Sequence, residues 1–227
     1  MLGKFLQTLG LGAKSAANGL HSPYADPATN RIYNLLFCDD PALFAPRDGE
    51  IPAPWQQLLY AATPDPEAIG ALADDPVGEG RVRALAYNWR RAHALPVPAR
   101  KLLGAIVEVP LAGGLDVLAA FVEGGVRYIN HSGKMTFIEG PSAPIRKLVA
   151  DLFAAAQEAV DHIGPWDKAR LPPPAAGRVR MSFVVSDGLY FGDGEMKVME
   201  HEPLAAPILA RANALLRQVL DLALGKT

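Results

Sequence analysis

The spacing of apolar residues along the chain changes near residue 100. Before that point, apolar positions recur every three or four residues, which is the spacing of one face of an α-helix. Four segments follow this spacing: 27–37, 54–62, 66–73 and 76–93. They predict a helical lobe over residues 26–97.

Asp-Pro pairs precede several of these segments. An aspartate accepts hydrogen bonds from the free amides of a first helical turn, and a following proline loses no hydrogen bond there. We therefore expect helices to begin after Asp26, Asp65 and Asp75. Two closely spaced prolines, Pro96 and Pro98, favour an extended connection and mark the end of the predicted helical lobe.

From residue 102 onward the pattern is that of β-strands. The segments 102–109 and 115–122 are apolar runs, as expected for strands that are covered on both faces. Turn signals at 124–125 and 132–133 then separate two shorter segments. Short turns between consecutive strands predict a four-stranded antiparallel meander.

The rest of the chain predicts four more elements: a helix over 143–163, a strand over 178–185 that residues 189–191 continue, a last strand over 195–200 after a turn at 192–194, and a final helix from about 203. The predicted fold class is therefore α+β, with the N-terminal helical lobe packed on an antiparallel sheet. Residues 98–227 form the sheet lobe, which consists of the meander, a helix, the hairpin and a helix, with helices on one face. Residues 1–25 are predicted to be a flexible or weakly docked segment.

The net charge, the cysteine content and the acidic residues of one apolar run indicate which partners and which cellular location to expect. The formal net charge is -2 at pH 7, which gives the chain no general attraction to nucleic acid. Cys38 is the single cysteine, so no disulfide forms within the chain, and a reducing, cytoplasmic location is expected. The apolar run 102–122 contains Glu108 and Asp116, which are costly in lipid, so no membrane span is expected.

The common motifs of catalytic and cofactor sites are missing from the sequence. It contains no Walker A loop, no HExxH and no GxSxG, and we predict neither a cofactor nor a metal. His131, His162 and His201 are interpreted as surface or capping residues, because a metal site needs three or four convergent ligands. The basic stretch that contains Arg90 and Arg91 is interpreted as a solvated helix end.

Polar and aromatic residues collect at the predicted strand ends and loops of the sheet lobe. Loops on a rigid scaffold commonly carry binding groups, so these residues are the candidate ligand-binding set. The candidates are Tyr128, Asn130, His131, Lys134, Trp166, Asp167, Asp187 and Tyr190. Trp166 alternatively packs on the core as a lid. A shared pocket requires the loops near 130, 166 and 187 to converge.

Five segments resemble an uncharacterised family of bacterial cytosolic proteins. They are YNLLFCDD at 33–40, LDVLAA at 115–120, RYIN at 127–130, IGPWDK at 163–168 and SDGLYFG at 186–192. The likeness runs from about residue 33 to about residue 216. It implies a bacterial, intracellular protein and assigns no activity and no catalytic residue.

Two functions are compatible with these observations. The first is a non-enzymatic protein-binding or scaffold protein of the bacterial cytoplasm, with a sheet edge or an apolar helix as the interface for a homodimer or a protein partner. The alternative is a small-molecule-binding protein or an enzyme whose pocket lies at the loops near 130, 166 and 187. Neither nucleic-acid binding nor a membrane span is expected.

Overall fold

The computed structural model describes residues 20–140 and 142–225. Most of the segment predicted to be flexible or weakly docked, residues 1–19, lies outside the described residues. The residues that follow it are anchored to the fold. The backbone amide of His21 donates to Asn34 Oδ1 at 3.0 Å, and the Tyr24 hydroxyl donates to the carbonyl of Leu115 at 2.9 Å.

The described residues form seven α-helices, one 3-10 helix and six strands. The N-terminal lobe contains α1 (Pro27–Leu35), the 3-10 helix (Pro41–Phe44), α2 (Pro54–Leu59), α3 (Pro66–Asp74) and α4 (Gly80–Ala92). The sheet lobe contains β1 (Leu102–Leu111), β2 (Gly114–Phe121), β3 (Val126–Ile129), β4 (Met135–Ile138), α5 (Ala143–His162), β5 (Arg178–Val185), β6 (Gly188–Glu195), α6 (Met196–Met199) and α7 (Ala205–Ala223).

Two of the three predicted Asp-Pro helix starts are confirmed. The Asp26 carboxylate caps α1, and the Asp65 carboxylate caps α3. The prediction that a helix begins directly after Asp75 is wrong. Asp75 instead starts a tight turn that Gly78 closes by donating to the Asp75 carbonyl at 3.3 Å, and α4 begins only at Gly80. Asp, Pro and Gly at these turn positions also fit a type I turn, so the Asp-Pro signal alone does not distinguish the two structures.

All six strands pair antiparallel, in the order β4-β3-β2-β1-β5-β6. The predicted meander is confirmed, and the β5–β6 hairpin continues the sheet beside β1. The turn predicted at 192–194 and the strand predicted at 195–200 are both wrong, because β6 runs from Gly188 to Glu195 and the chain then forms the short helix α6. Met196 and Met199, three residues apart, both pack against the core, and this is a helical spacing.

The α+β fold predicted from the sequence is confirmed, and both faces of its sheet are covered. The helices of the sheet lobe, α5 and α7, pack against one face through a cluster that includes Leu102 and Val107 of β1. The N-terminal lobe packs against the opposite face, where the cluster includes Leu103 and Ile106. The apolar run 102–122 is thus the buried β1–β2 hairpin, and no helix within the described residues is long and apolar enough to cross a membrane.

A buried polar network joins the two lobes beside this second cluster. Glu108 of β1 is 1% exposed, and its Oε1 accepts a hydrogen bond from the Tyr33 hydroxyl at 2.7 Å. Arg170 donates through Nε to Asp39 Oδ2 at 2.8 Å and through Nη2 to Asn34 Oδ1 at 2.7 Å. Every buried side-chain nitrogen and oxygen of the described residues has a partner, as expected of a stable polar core.

Candidate functional site

Two cavities are lined in part by the candidate ligand-binding residues of the sheet lobe. The first, called here the apolar pocket, lies between the sheet and the helices α6 and α7, and has a volume of about 390 Å³. Its lining residues are Val107, Val109, Asp116, Leu118, Tyr128, Met196, Glu200, Ala206, Leu209, Ala210, Ala212, Asn213 and Leu216.

The second cavity, called here the interlobe pocket, lies between the N-terminal lobe and the sheet lobe and has a volume of about 700 Å³. Three parts of the chain form its walls: the end of α1 with the 3-10 helix, the last turns of α4, and the loop 165–170 with the β5–β6 hairpin. Its charged lining residues are Asp39, Asp40, Arg91, Asp167, Lys168, Arg170 and Asp187.

The strand register explains why the predicted loops do not share one cavity. Leu102 at the start of β1 pairs with Val185, which places the β5–β6 turn near 187 at that end of the sheet. Leu111 at the other end of β1 pairs with Gly114, and the β3–β4 turn near 130 lies at this second end. The loops near 166 and 187 therefore meet at the interlobe pocket, whereas the loop near 130 lies beside the apolar pocket.

A carboxylate and a phenol form the polar end of the apolar pocket. The Tyr128 hydroxyl donates to Asp116 Oδ2 at 2.8 Å, and the backbone amide of His131 donates to Asp116 Oδ1 at 2.6 Å. The His131 ring nitrogen Nδ1 lies 3.4 Å from the same Oδ1. Burial raises the pKa of Tyr128, so the phenol stays protonated and acts as a hydrogen-bond donor to the carboxylate.

The other polar groups of the apolar pocket come from the helices. Glu200 follows α6 and Asn213 lies on α7, and neither side chain makes a hydrogen bond or ion pair with another described residue. No lysine or arginine is among the described residues that line this cavity. Its walls are therefore apolar, and the charges that it offers to a bound molecule are negative.

The four candidates near 130 have different roles. Tyr128 lines the apolar pocket, and His131 contacts Asp116 of that pocket. Asn130 organises the β3–β4 turn, since its Oδ1 accepts from the backbone amides of Ser132 and Lys134, each at 3.0 Å. The Lys134 side chain is exposed and lies outside both cavities.

Trp166 holds the loop 165–170 against the sheet. Its backbone amide donates to the Leu189 carbonyl at 2.7 Å, and its ring packs edge-on against Phe191 with centroids 5.0 Å apart. The ammonium of Lys168 lies 5.5 Å from the centre of the Trp166 ring. Asp167, next to it, is exposed and makes no hydrogen bond or ion pair with the rest of the described chain.

Asp187 and Tyr190 order the β5–β6 turn. The Tyr190 hydroxyl donates to the Asp187 carboxylate at 3.1 Å, and the Arg100 amide donates to Asp187 Oδ2 at 3.2 Å. Burial raises the pKa of Tyr190, with the Asp187 carboxylate acting in the same direction. Asp187 lines the interlobe pocket, whereas Tyr190 packs with the core that faces α5 and α7.

Arg91 is a pocket residue that the sequence did not indicate. It lies in the last turn of α4 and donates to the Ser186 carbonyl of the sheet lobe and to Asn88 Oδ1. Among the described residues, no carboxylate oxygen lies within ion-pair distance of its guanidinium. Burial lowers the pKa of Arg91. Nothing in the sequence separates it from Arg90, which lies outside the pocket and donates to the Pro96 carbonyl.

The histidines and the cysteine have structural roles. His162 and His201 each place Nδ1 within hydrogen-bond distance of the carbonyl four residues earlier, which is a capping contact. Cys38 lies three residues after α1 and has a left-handed φ of 54°, and burial raises the pKa of its thiol, so it is a poor nucleophile. The described residues contain no group of three or more histidine, cysteine or acidic side chains that could hold a metal ion.

No protein-family model, curated protein or solved structure matches the chain. The resemblance to an uncharacterised bacterial family therefore stays a prediction, and the candidate site rests on its geometry. The geometry divides the candidate residues between two cavities of different chemistry.

Proposed function

We propose that this protein binds a small amphipathic molecule in the apolar pocket, with the apolar body of the ligand between the sheet and α7. The head of the ligand is a cation or a neutral hydrogen-bond donor, and it contacts Asp116. The observation that carries this proposal is a concave, largely apolar cavity with one positioned carboxylate at its end. A volume of about 390 Å³ falls within the range of small-molecule sites.

The charges of the cavity support the choice of head group. The Asp116 side chain is 19% exposed, so its charge is only partly screened by water. Its oxygens accept hydrogen bonds from Tyr128 and His131 and retain lone pairs for a ligand donor. A carboxylate head group would meet Asp116 and Glu200 without a compensating lysine or arginine from the described lining.

The apolar walls supply the main binding energy in this proposal. Each methylene group transferred from water to an apolar wall contributes about 0.8 kcal/mol. A chain of eight to ten carbons therefore gains about 6–8 kcal/mol, from which the cost of lost freedom on binding is subtracted, so we expect an affinity weaker than micromolar. Head-group contacts then select among ligands that share the same chain.

Three matched probes test the proposal: decylamine, decanol and decanoate, each below its aggregation concentration. Isothermal titration calorimetry of the full chain measures their affinities. We expect decylamine to bind most tightly, decanol next and decanoate at least about tenfold more weakly than decylamine, because of its repulsion by Asp116. Equal affinity for decanoate and decylamine, or no binding of any probe, would contradict the proposal.

A pair of tryptophan substitutions locates the binding site on α7. Ala210 lines the apolar pocket and is itself exposed, so Ala210→Trp fills the cavity without overpacking the core. The control is Ala223→Trp, at an exposed position about 20 Å further along the same helix. We expect Ala210→Trp to weaken decylamine binding at least about tenfold and Ala223→Trp to leave it unchanged.

A second candidate function is protein binding through the sheet edge, as a scaffold or homodimer. The specific observation in its favour is the edge strand β4, whose outer side pairs with no strand of the described chain and whose Phe137 side chain is 45% exposed. Sedimentation of the full chain over a concentration series tests it. A concentration-dependent dimer that Phe137→Lys abolishes would support this function, and a monomer at every concentration would contradict self-association. The cytoplasmic location and the absence of enzymatic activity stay predictions.

A further inference from the structure

The interlobe pocket contains a positive charge that the fold positions and does not neutralise by direct contact. Arg91 contacts the sheet lobe through the Ser186 carbonyl and its own helix through Asn88, both of which are neutral acceptors. Two of the five N–H donors of its guanidinium are used in these contacts. The group is thus held in place across the two lobes while keeping donors for a bound anion.

The negative charges of the same pocket fall into two groups. Asp39 is neutralised by Arg170, whose Nε lies 2.8 Å from Asp39 Oδ2. Asp187 accepts hydrogen bonds from the Tyr190 hydroxyl and the Arg100 amide, and its charge acts on Arg91 from beyond ion-pair distance. Asp40 and Asp167 have no ion-pair partner within the described chain. Asp40 Oδ1 accepts from the Ala42 amide at 3.0 Å as the cap of the 3-10 helix, and its other oxygen and the Asp167 carboxylate offer acceptors to a bound cation.

Apolar residues complete the wall between these charges. Phe37 from the N-terminal lobe and Val184 and Leu189 from the sheet lobe line the cavity together. A ligand that fits this lining therefore carries an apolar portion in addition to charge. The volume of about 700 Å³ exceeds that of the apolar pocket and is ample for a molecule of about ten non-hydrogen atoms.

We propose that the interlobe pocket binds a small zwitterion of the apolar α-amino-acid type. Its carboxylate binds Arg91, its ammonium group binds the acceptors Asp40 and Asp167, and its side chain contacts the apolar wall. A purely anionic ligand is disfavoured because Asp40, Asp167 and Asp187 repel it, and a purely cationic ligand is disfavoured by Arg91 and Lys168. This site shares no lining residue with the apolar pocket, so the two proposals can be tested independently of each other.

The test compares zwitterions with analogues that lack one charge. Leucine, methionine and phenylalanine are the zwitterionic probes, isocaproate is the anionic control and isoamylamine is the cationic control. Calorimetry of the full chain near neutral pH gives each affinity. We expect at least one of the amino acids to bind at least about tenfold more tightly than both controls, since each control loses one charged contact. Isocaproate or isoamylamine binding as tightly as every amino acid, or no binding by any amino acid, overturns the proposal.

Matched arginine variants assign the carboxylate contact. Arg91→Gln removes the positioned charge, whereas Arg90→Gln removes a neighbouring charge that lies outside the pocket. We expect Arg91→Gln to lose at least about tenfold in amino-acid affinity and Arg90→Gln to retain the affinity of the wild type. Equal losses in the two variants overturn the assignment.

Asp167→Asn provides a second test of amino-acid binding if the Arg91→Gln variant does not fold. Asp167 is exposed and unpaired, so its substitution leaves the fold intact. An exposed charge contact contributes little, and we expect a loss of up to about fivefold in amino-acid affinity with isocaproate binding unchanged or improved. Amino-acid affinity that is unaffected by Asp167→Asn and by Asp40→Asn together overturns the ammonium assignment.

Discussion

The two cavities of this protein are built in opposite ways. The apolar pocket is formed by alternate strand positions of β1, β2 and β3 together with one side of α7, and its charged lining residues are Asp116 and Glu200. The interlobe pocket is formed mainly by loops and helix ends, and charged side chains occupy seven of its lining positions. Regular elements thus produce the apolar surface, and irregular segments from two lobes produce the charged one.

This difference has a consequence for how each cavity tolerates change. Strands and a long helix hold the apolar pocket, so single side-chain changes there alter the lining without moving the walls. The interlobe pocket depends on contacts between lobes, above all those of Arg170. A substitution in one cavity should therefore leave ligand binding in the other cavity unchanged.

The largest effect is expected from Arg170→Ala. The Arg170 side chain is 3% exposed, pairs with Asp39 and stacks on Phe37 at 3.9 Å from the ring centre. Its removal leaves a partly buried carboxylate without its partner and deletes the stacking contact, for a loss of about 3 kcal/mol in the free energy of unfolding. Urea denaturation measures this loss.

The matched control for that substitution is Lys168→Ala, two residues away in the same loop. Lys168 is exposed, and its ammonium contacts the Trp166 ring and no other side chain of the described residues, so we expect a change below about 0.5 kcal/mol. Arg170→Ala should also abolish amino-acid binding while decylamine binding persists. Similar losses of stability in the two variants would mean that the two lobes are not held together by Arg170.

The second-largest effect is a dependence of the free energy of unfolding on pH, which Glu108 causes over part of the pH range. Burial of Glu108 raises its pKa from the ordinary value of 4.5, and the hydrogen bond from Tyr33 and the charges of Arg180 and Arg170 oppose this shift. The folded state therefore binds the proton more tightly, and this carboxyl lowers stability as pH rises from the unfolded-state pKa towards the folded-state pKa. Below that window it contributes no pH dependence.

We expect Glu108→Gln to remove this pH dependence. Its free energy of unfolding, relative to that of the wild type, should rise through the window above pH 4.5 and stay constant below it. Urea denaturation at a series of pH values gives both curves. Parallel curves would show that Glu108 titrates alike in the folded and unfolded chains.

The smallest effect is expected in the apolar pocket. Tyr128→Phe removes one hydrogen bond to Asp116 and should cost about 1 kcal/mol in the free energy of unfolding. Tyr60→Phe, which removes a hydrogen bond to an exposed backbone carbonyl, should cost less than about 0.5 kcal/mol. Amino-acid binding should be unchanged in both variants. A loss of that binding in Tyr128→Phe would contradict the separation of the two cavities.

The sequence predicts the regular elements well, because each is encoded by the spacing of neighbouring residues. The apolar runs and turn signals from residue 102 onward predict β1 to β4, and the helical spacing over 143–163 predicts α5. The strand predicted at 195–200 fails because six residues are too few to separate a strand from a single helical turn. The helix start predicted after Asp75 fails for a similar reason, since helix starts and type I turns share the Asp-Pro signal.

Local sequence patterns do not predict which candidate residues share a cavity. Tyr128 and Trp166 both lie at loops or strand ends, and only the strand order places them at different cavities. Arg90 and Arg91 are adjacent and of the same type, yet only Arg91 faces the sheet lobe. Such assignments depend on long-range packing, and one sequence without its fold does not contain a local signal for them.

The position of β1 bears on how the chain acquires its fold. β1 is the first of the described strands to be synthesised, yet it lies between β2 and β5. Its pairing with β2 closes a loop of only two residues, whereas its pairing with β5 must wait for more than sixty further residues to leave the ribosome. We therefore expect the nascent chain to carry an open, apolar strand border for much of its synthesis, a period in which chaperone contact protects it from association with other chains.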